Sequence, residues 1–311
     1  MTFGLIFAAL LYVSNERAGS IQVIDTATDR VVTERTISDR PRGMALSPDG
    51  KRLYVAVSWW RDGKRPRKGK ERIAALDART LAPVRDYGAG SDPECVAVSP
   101  DGQRLYLSNE DAGTASIIDT ASGKNRATLV VGTEPEGVTA SPDGKWVYIT
   151  AETSNVVSVI DAKTEKVAAN ILVDSRPRST IFTRDGSRAW VSAELGGTVT
   201  LLDAKTHRRI GKVKLGQSDK PVGMVLSPDE KRLYIATGRG NGVAVVDTKA
   251  MKMIAKIPTG ERVWGIALTP DGKKLYAANS LANTISVIDT GRLRVVGTIR
   301  VGDGPWALAM R

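Results

Sequence analysis

Three observations predict an all-β, seven-bladed β-propeller: seven apolar-apolar-aspartate triplets at nearly constant spacing, four strand signals per interval, and a final interval that stops after one strand. The triplets are Val23-Ile24-Asp25, Ala75-Leu76-Asp77, Ile117-Ile118-Asp119, Val159-Ile160-Asp161, Leu201-Leu202-Asp203, Val245-Val246-Asp247 and Val287-Ile288-Asp289, spaced by 52, 42, 42, 42, 44 and 42 residues. A period of about 40 to 45 residues containing several short strands is the signature of propeller blades. The repeat runs from residue 11 to the end of the chain, so a single repeat domain is expected despite the length.

Within a unit, Ser-Pro-Asp-Gly (47–50, 99–102, 141–144, with variants at 183, 227 and 269) joins the first strand to the second. Proline presets φ and glycine accepts a positive φ, which makes a tight turn. The runs that follow, such as Leu53-Tyr54-Val55 and Val147-Tyr148-Ile149, and then the Val-Ser-Val-Ile-Asp type, are β-branched and aromatic and read as central strands. Closure is legible at the two ends. Residues 302–310 match only the first strand of a unit, while Leu11-Tyr12-Val13 enters at the second. The C-terminal strand is therefore predicted to complete a blade whose other three strands are N-terminal, leaving no long open edge.

The composition, 41% hydrophobic and 25% charged, is that of an ordinary globular protein. The formal charge of +11 is uneven: between Arg61 and Arg72, seven basic residues face Asp62 and Glu71, a net +5. This basic insertion (59–72) occupies the one long interval. The single cysteine, Cys95, allows no intrachain disulfide and no multi-thiolate zinc site. The apolar stretch Phe3 to Leu10 ends in small residues, like the later part of a secretory signal without its basic start. Residues 1–10 are accordingly read as a signal remnant, 11–311 as the propeller, and the protein as exported and monomeric. No apolar run of about 20 residues is present to form a transmembrane helix.

The residues Leu-Tyr-Val-Ser-Asn (11–15), Leu-Tyr-Leu-Ser-Asn (105–109) and the repeated Ser-Pro-Asp-Gly and Val-Ile-Asp-Thr resemble the YVTN family of β-propeller repeats over the whole chain. More narrowly, Tyr12 to Arg17 with Ile24 to Arg30 resembles the propellers associated with pyrroloquinoline-quinone-dependent alcohol catabolism. That resemblance implies a periplasmic accessory or binding role beside a quinoprotein dehydrogenase, with no catalytic residues to carry over. Some related periplasmic YVTN propellers bind single-stranded DNA, so the resemblance also implies a second meaning for the basic charge.

Two repeat columns point to a site around one mouth of the central channel. The first follows the loop proline: Arg42, Glu94, Glu136, Arg178, Val222, Trp264 and Trp306, with Arg40, Asp92, Glu134, Arg176, Lys220 and Arg262 two residues earlier. The second closes the second strand: Glu16, Ser58, Glu110, Glu152, Glu194, Gly238 and Ser280. Guanidinium groups, carboxylates and indoles in one ring suit an anionic planar ligand, pyrroloquinoline quinone being one. The plainer reading is a rim of ion pairs between neighbouring blades, with the two tryptophans packed as core. A calcium site from the four glutamates is disfavoured, because side chains from different blades would have to meet at the axis.

Trp59 and Trp60 beside Arg61, Lys64, Arg65, Arg67 and Lys68 suit stacking on bases with phosphate contact. The sole histidine, His207, sits in an outer turn and is expected to be solvent-exposed. One histidine leaves no partner for a bis-histidine haem or a multi-histidine metal centre and argues against Ser-His-Asp hydrolysis. Carboxylate chemistry stays open, with Glu94, Glu136 and Glu152 as its candidates. Three functions follow: a non-enzymatic binding propeller of a quinoprotein system, a single-strand nucleic-acid binder through 59–72, and a carboxylate-dependent hydrolase or lactonase.

Overall fold

The computed structural model describes residues 9–59 and 71–311. They form 28 strands and no helix, arranged as seven antiparallel four-stranded sheets. The first blade combines β28 (Pro305–Met310) with β1 (Leu10–Asn15), β2 (Ser20–Asp25) and β3 (Arg30–Thr36). The predicted closure is thus formed, with Leu11 opposite Met310 and Leu10 exchanging backbone hydrogen bonds with Arg311. Leu10, assigned above to the leader, belongs to this sheet; residues 1–8 lie outside the described residues. Among the described residues, no helix is long and apolar enough to cross a membrane.

Burial explains the sequence pattern. The second and third strands of each blade are buried on both faces, as in β1 and β2, because sheets pack on either side. They therefore read as continuous apolar runs. The outermost strands alternate exposed and half-buried positions, as in β3, with one side packed and the other wet.

Neighbouring blades are latched by the Tyr-x-x-Asn segment. Tyr12 donates to the Ala78 carbonyl of the second blade at 2.7 Å, and Tyr276 of the seventh donates to Asp29 of the first at 2.5 Å, so the ring is bonded across its seam. The asparagine works within the blade. Asn109 accepts from Gly90 N and Asn279 from Gly260 N, at 3.0 and 3.1 Å, fixing the loop that leads into the innermost strand. Near the axis the strands converge so closely that a Cβ at Gly137 would lie 2.4 Å from the Arg178 carbonyl oxygen, and one at Gly265 2.5 Å from that of Trp306. Small residues in this column (Gly43, Cys95, Gly137, Ser179, Gly223, Gly265 and Ala307) are what lets seven strands ring a narrow channel.

Candidate active site at the channel mouth

The loop before each innermost strand and the loop between second and third strands open on one face, around a cavity of about 790 Å³. Its wall includes Glu16, Arg40, Arg42, Glu110, Glu136, Glu152, Arg176, Arg178, Arg262, Trp264 and Trp306 from the two columns, together with Trp59 at the rim. Glu94 and Glu194 are absent from that wall. They stand behind it: Glu94, fully buried, bonds to Arg42, and Glu194 accepts from Arg178 Nε at 2.6 Å. Glu94 is thereby removed from the carboxylates that could touch a ligand. Trp60, Arg61, Lys64, Arg65, Arg67 and Lys68 lie outside the described residues. Arg72, read above as the end of the insertion, starts strand β6 (Arg72–Asp77) and pairs with Asp39 at 3.1 Å.

The backbone presents these side chains at a cost. Asp92, Glu134, Arg176 and Arg262, at the position before the innermost strand's proline or valine, have φ between 50° and 62°. Gly304 occupies the same column with φ 70°, showing the residue this conformation favours. Charged side chains held in the left-handed region each carry strain of about 1 kcal/mol or more. A second device went unread in the sequence. The residue before the Tyr-x-x-Asn asparagine, or its counterpart, clamps the next blade's column residue: Ser14 Oγ donates to the Arg42 carbonyl at 2.8 Å and Thr150 Oγ1 to that of Arg178 at 3.1 Å. Ser108 and Ser192 do the same for Glu136 and Val222. The repeated Ser was visible; its partner, 28 to 30 residues away in the neighbouring blade, was not.

The charges form two knots. In one, Arg42 bonds Glu94 and lies 3.8 Å from Glu16 and 3.9 Å from Glu110, while Arg40 pairs with Glu16 at 2.6 Å. In the other, Arg178 bonds Glu136, Glu152 and Glu194, and Arg176 bonds Glu152. Much of the rim is therefore the ion-paired lattice of the plainer reading. Both tryptophans belong to a hydrophobic cluster as well as to the cavity wall. Trp264 has the guanidinium carbons of Arg178 and Arg262 each 5.1 Å from its ring centre, and Arg42 lies 4.8 Å from that of Trp306, an arrangement that favours the cations. Arg262 differs from the other arginines of the wall. Among the described residues no carboxylate lies within 4 Å of it, and burial together with the Arg239 charge pushes its pKa down.

Carboxylates outnumber what the arginines neutralise around Glu110, Glu136 and Glu152, whose oxygens lie within 4.8 Å of one another. Oxygens of Asp92, Glu94 and Glu110 meet in the same way, so carboxylates do converge here, and Glu110 and Glu152 come from different blades. Arg178 bonds Glu136 and Glu152 of the first trio, and Arg42 bonds Glu94 and lies 3.9 Å from Glu110 of the second, so each trio has positive charge beside it. Burial, reinforced by the Glu136 charge and opposed by Arg42, pushes Glu110 up to about 7. Glu136 and Glu152 stand side by side, both bonded to Arg178, and are pushed in opposite directions. Burial opposes the ionisation of Glu136, but Arg178 and a hydrogen bond from Glu152 outweigh it and hold its carboxyl low. Burial and the same hydrogen bond raise Glu152. Two carboxyls at close range are thus driven apart in acidity, as like charges require.

Cys95, in the innermost strand β8 (Pro93–Val98) and packed against the hydrophobic clusters, has its thiol pushed up to about 12 by burial and the Glu136 charge, the opposite of what an activated thiolate needs. The expectation for His207 is corrected: it is half-buried against the preceding blade, hydrogen-bonded through Nδ1 to the Tyr148 hydroxyl at 3.0 Å and edge-on to Trp146. The turn that carries it packs back on that blade, which its repeat position did not reveal.

Three kinds of likeness bear on this site. The family model described as "Lactonase, 7-bladed beta-propeller" matches residues 161–310, just under half of the chain. Antigen Lp49 of Leptospira interrogans (serogroup Icterohaemorrhagiae, serovar copenhageni) is 31% identical over 106 residues, 32% of this chain and 23% of that protein. The matched segment is thus about a quarter of that relative's length. Among solved structures, one of Kuenenia stuttgartiensis hydrazine synthase superposes with a TM-score of 0.80 at 24% identity, covering 90% of this chain and 92% of that one. A Bacteroides fragilis protein provisionally named 6-phosphogluconolactonase superposes with a TM-score of 0.83 at 20% identity over the full length of both. At these identities the structural likenesses establish the seven-bladed fold. The lactonase match favours the third function expected from the sequence over a quinoprotein accessory.

Proposed function

We propose that the protein hydrolyses a small lactone carrying an anionic substituent, at the channel mouth, with Glu136 and Glu152 as a proton-sharing pair. The observation that carries this reading is the dyad itself: two buried carboxyls on the cavity wall bonded to the same arginine, Glu136 pushed down by Arg178 and Glu152 pushed up by burial. Divergent protonation of neighbouring groups is what a combined base and acid needs. Glu136 takes a proton from a water that attacks the lactone carbonyl carbon. The ring C–O bond then breaks, Glu152 gives its proton to the departing ring oxygen, and a hydroxy acid is formed. The proton on Glu136 passes back to Glu152 through their shared hydrogen bond, restoring the pair. Arg262, with no carboxylate within 4 Å among the described residues, holds the anionic substituent against the Trp264 face.

The test is acid release at constant pH from a lactone panel. Wild type should turn over at least one member, and Glu136→Gln and Glu152→Gln should each lose about 100-fold or more in kcat, in line with general acid–base contributions. An inactive wild type, or active glutamine variants, would refute it.

One observation favours a second reading, capture of a planar anion such as pyrroloquinoline quinone without turnover: Trp59, Trp264 and Arg262 line the same cavity. Quinone binding that survives high salt and is lost in Arg262→Ala, with no lactone turnover, would select it.

A further inference from the structure

A second cavity of about 290 Å³ adjoins the first, lined by Glu134, Glu152, Thr153, Asn155, Ser175, Arg176 and Leu195. Glu152 and Arg176 line both, so the wall between the two spaces is their ion pair, one member of which is half of the carboxylate dyad. A substrate whose reacting carbonyl lies over Glu152 therefore has only one pair of side chains to cross before its far end enters the second space.

The second space differs from the first in chemistry. It offers a carboxylate (Glu134), two hydroxyls (Thr153 and Ser175) and an amide (Asn155), with Leu195, 56% exposed, forming an apolar edge. The lining is also held in place. Glu134, Asn155 and Arg176 all have positive φ; Thr153 donates to Glu134, and the Arg176 backbone N–H donates to Asn155 Oδ1 at 2.9 Å. Acceptors and hydroxyls around a small apolar edge are suited to a polyhydroxylated ring, whose OH groups take the polar contacts and whose C–H face takes the apolar one.

We infer that this cavity is a second subsite, which binds a sugar residue attached to the lactone, so that the lactone of a disaccharide acid is preferred over its single-ring counterpart. This rests on the lactone-hydrolysing reading. Glu134, Thr153, Ser175 and Leu195 touch the additional ring and not the reacting carbonyl, and their effect falls on selectivity between short and extended substrates.

The experiment compares gluconolactone with its galactosylated counterpart, lactobionolactone, on wild type, Glu134→Gln and Leu195→Trp. Both lactones are neutral, so Arg262 weighs equally on them. Wild type should favour the disaccharide lactone by about tenfold or more in kcat/KM. Leu195→Trp, which fills the cavity, should remove that preference and leave gluconolactone turnover unchanged, and Glu134→Gln should raise KM for the disaccharide lactone severalfold. Equal kcat/KM for the two lactones in wild type, or a preference that survives Leu195→Trp, overturns the inference. If neither neutral lactone is opened, the hydrolytic reading is decided separately by the anionic lactones of the panel, and the subsite is judged by titration with the acids. Lactobionate binding at least tenfold tighter than gluconate, lost in Leu195→Trp, upholds it; equal binding overturns it.

Discussion

Replacing Arg262 by glycine separates what the channel mouth contributes to binding from what it contributes to folding. Three effects on stability can be weighed. Arg262 has φ 53°, and removing a Cβ from the left-handed region relieves about 1–2 kcal/mol. Glycine gives back about 0.4–1 kcal/mol through the freer unfolded chain. Loss of the stack on Trp264 costs a further 0.5–1 kcal/mol or so. No ion pair is lost, because no carboxylate lies within 4 Å of the guanidinium among the described residues. The sum lies within about 1 kcal/mol of zero, a Tm shift of roughly 3 °C or less for a chain of this size. Loss of a charge-assisted contact to substrate is worth about 1.5–3 kcal/mol, or roughly 10- to 150-fold in kcat/KM. That loss should appear with glucarolactone, which bears a carboxylate, and not with neutral gluconolactone. Calorimetric melting and the ratio of the two rates are the readouts. Destabilisation beyond about 3 kcal/mol would make Arg262 structural, and an unchanged ratio would refute its role in anion recognition.

Glu110→Gln should stabilise the protein at pH 8 and leave it nearly unchanged at pH 4. The native state holds this carboxyl at about 7 against an ordinary 4.5, so the stability tied to its protonated form is complete below 4.5 and lost as pH rises through 7. With the side chain a quarter exposed, the gain is about 2 kcal/mol, seen as a pH-dependent difference in denaturation midpoint. Gly137→Ala should cost about 1–3 kcal/mol by overpacking backbone against backbone, measured by urea unfolding; a neutral result would mean the inner strands can part. Tyr148→Phe removes the hydroxyl bonded to His207 and should cost about 1 kcal/mol near neutral pH. Burial lowers the His207 pKa, so its native contribution is present above 6.5 and lost on acidification, and thermal melts should show the mutational cost shrinking as His207 protonates.

The fold was legible because a propeller repeats its instructions. The Asp25-type triplets, the Ser-Pro-Asp-Gly turns and the single strand after Gly302 each state the same period. The site was legible only as two columns. A column says which residues stand at the same height on successive blades, but not which way their side chains turn. Glu94 and Glu136 are equivalent by position, yet one lies behind the wall bonded to Arg42 and the other stands on the wall beside Glu152. That difference arises because Glu152 has a second carboxylate and two arginines within reach, which depends on packing between blades rather than on residue type. His207 was misplaced for a related reason: its burial is supplied by Trp146 and Tyr148, 59 to 61 positions earlier.

The clamps from Ser14, Ser108, Thr150 and Ser192 run in one direction around the ring, each blade holding the carbonyl of the blade that follows it in sequence. Position and identity of a mouth residue are therefore encoded in different repeats. Thr150 belongs to the blade that bears Glu136 and Glu152, yet its hydroxyl secures Arg178, the cation that keeps Glu136 ionised. Transplanting a single blade between such proteins would carry in new side chains while leaving their anchors behind, so the smallest exchangeable unit of this rim is a pair of consecutive blades.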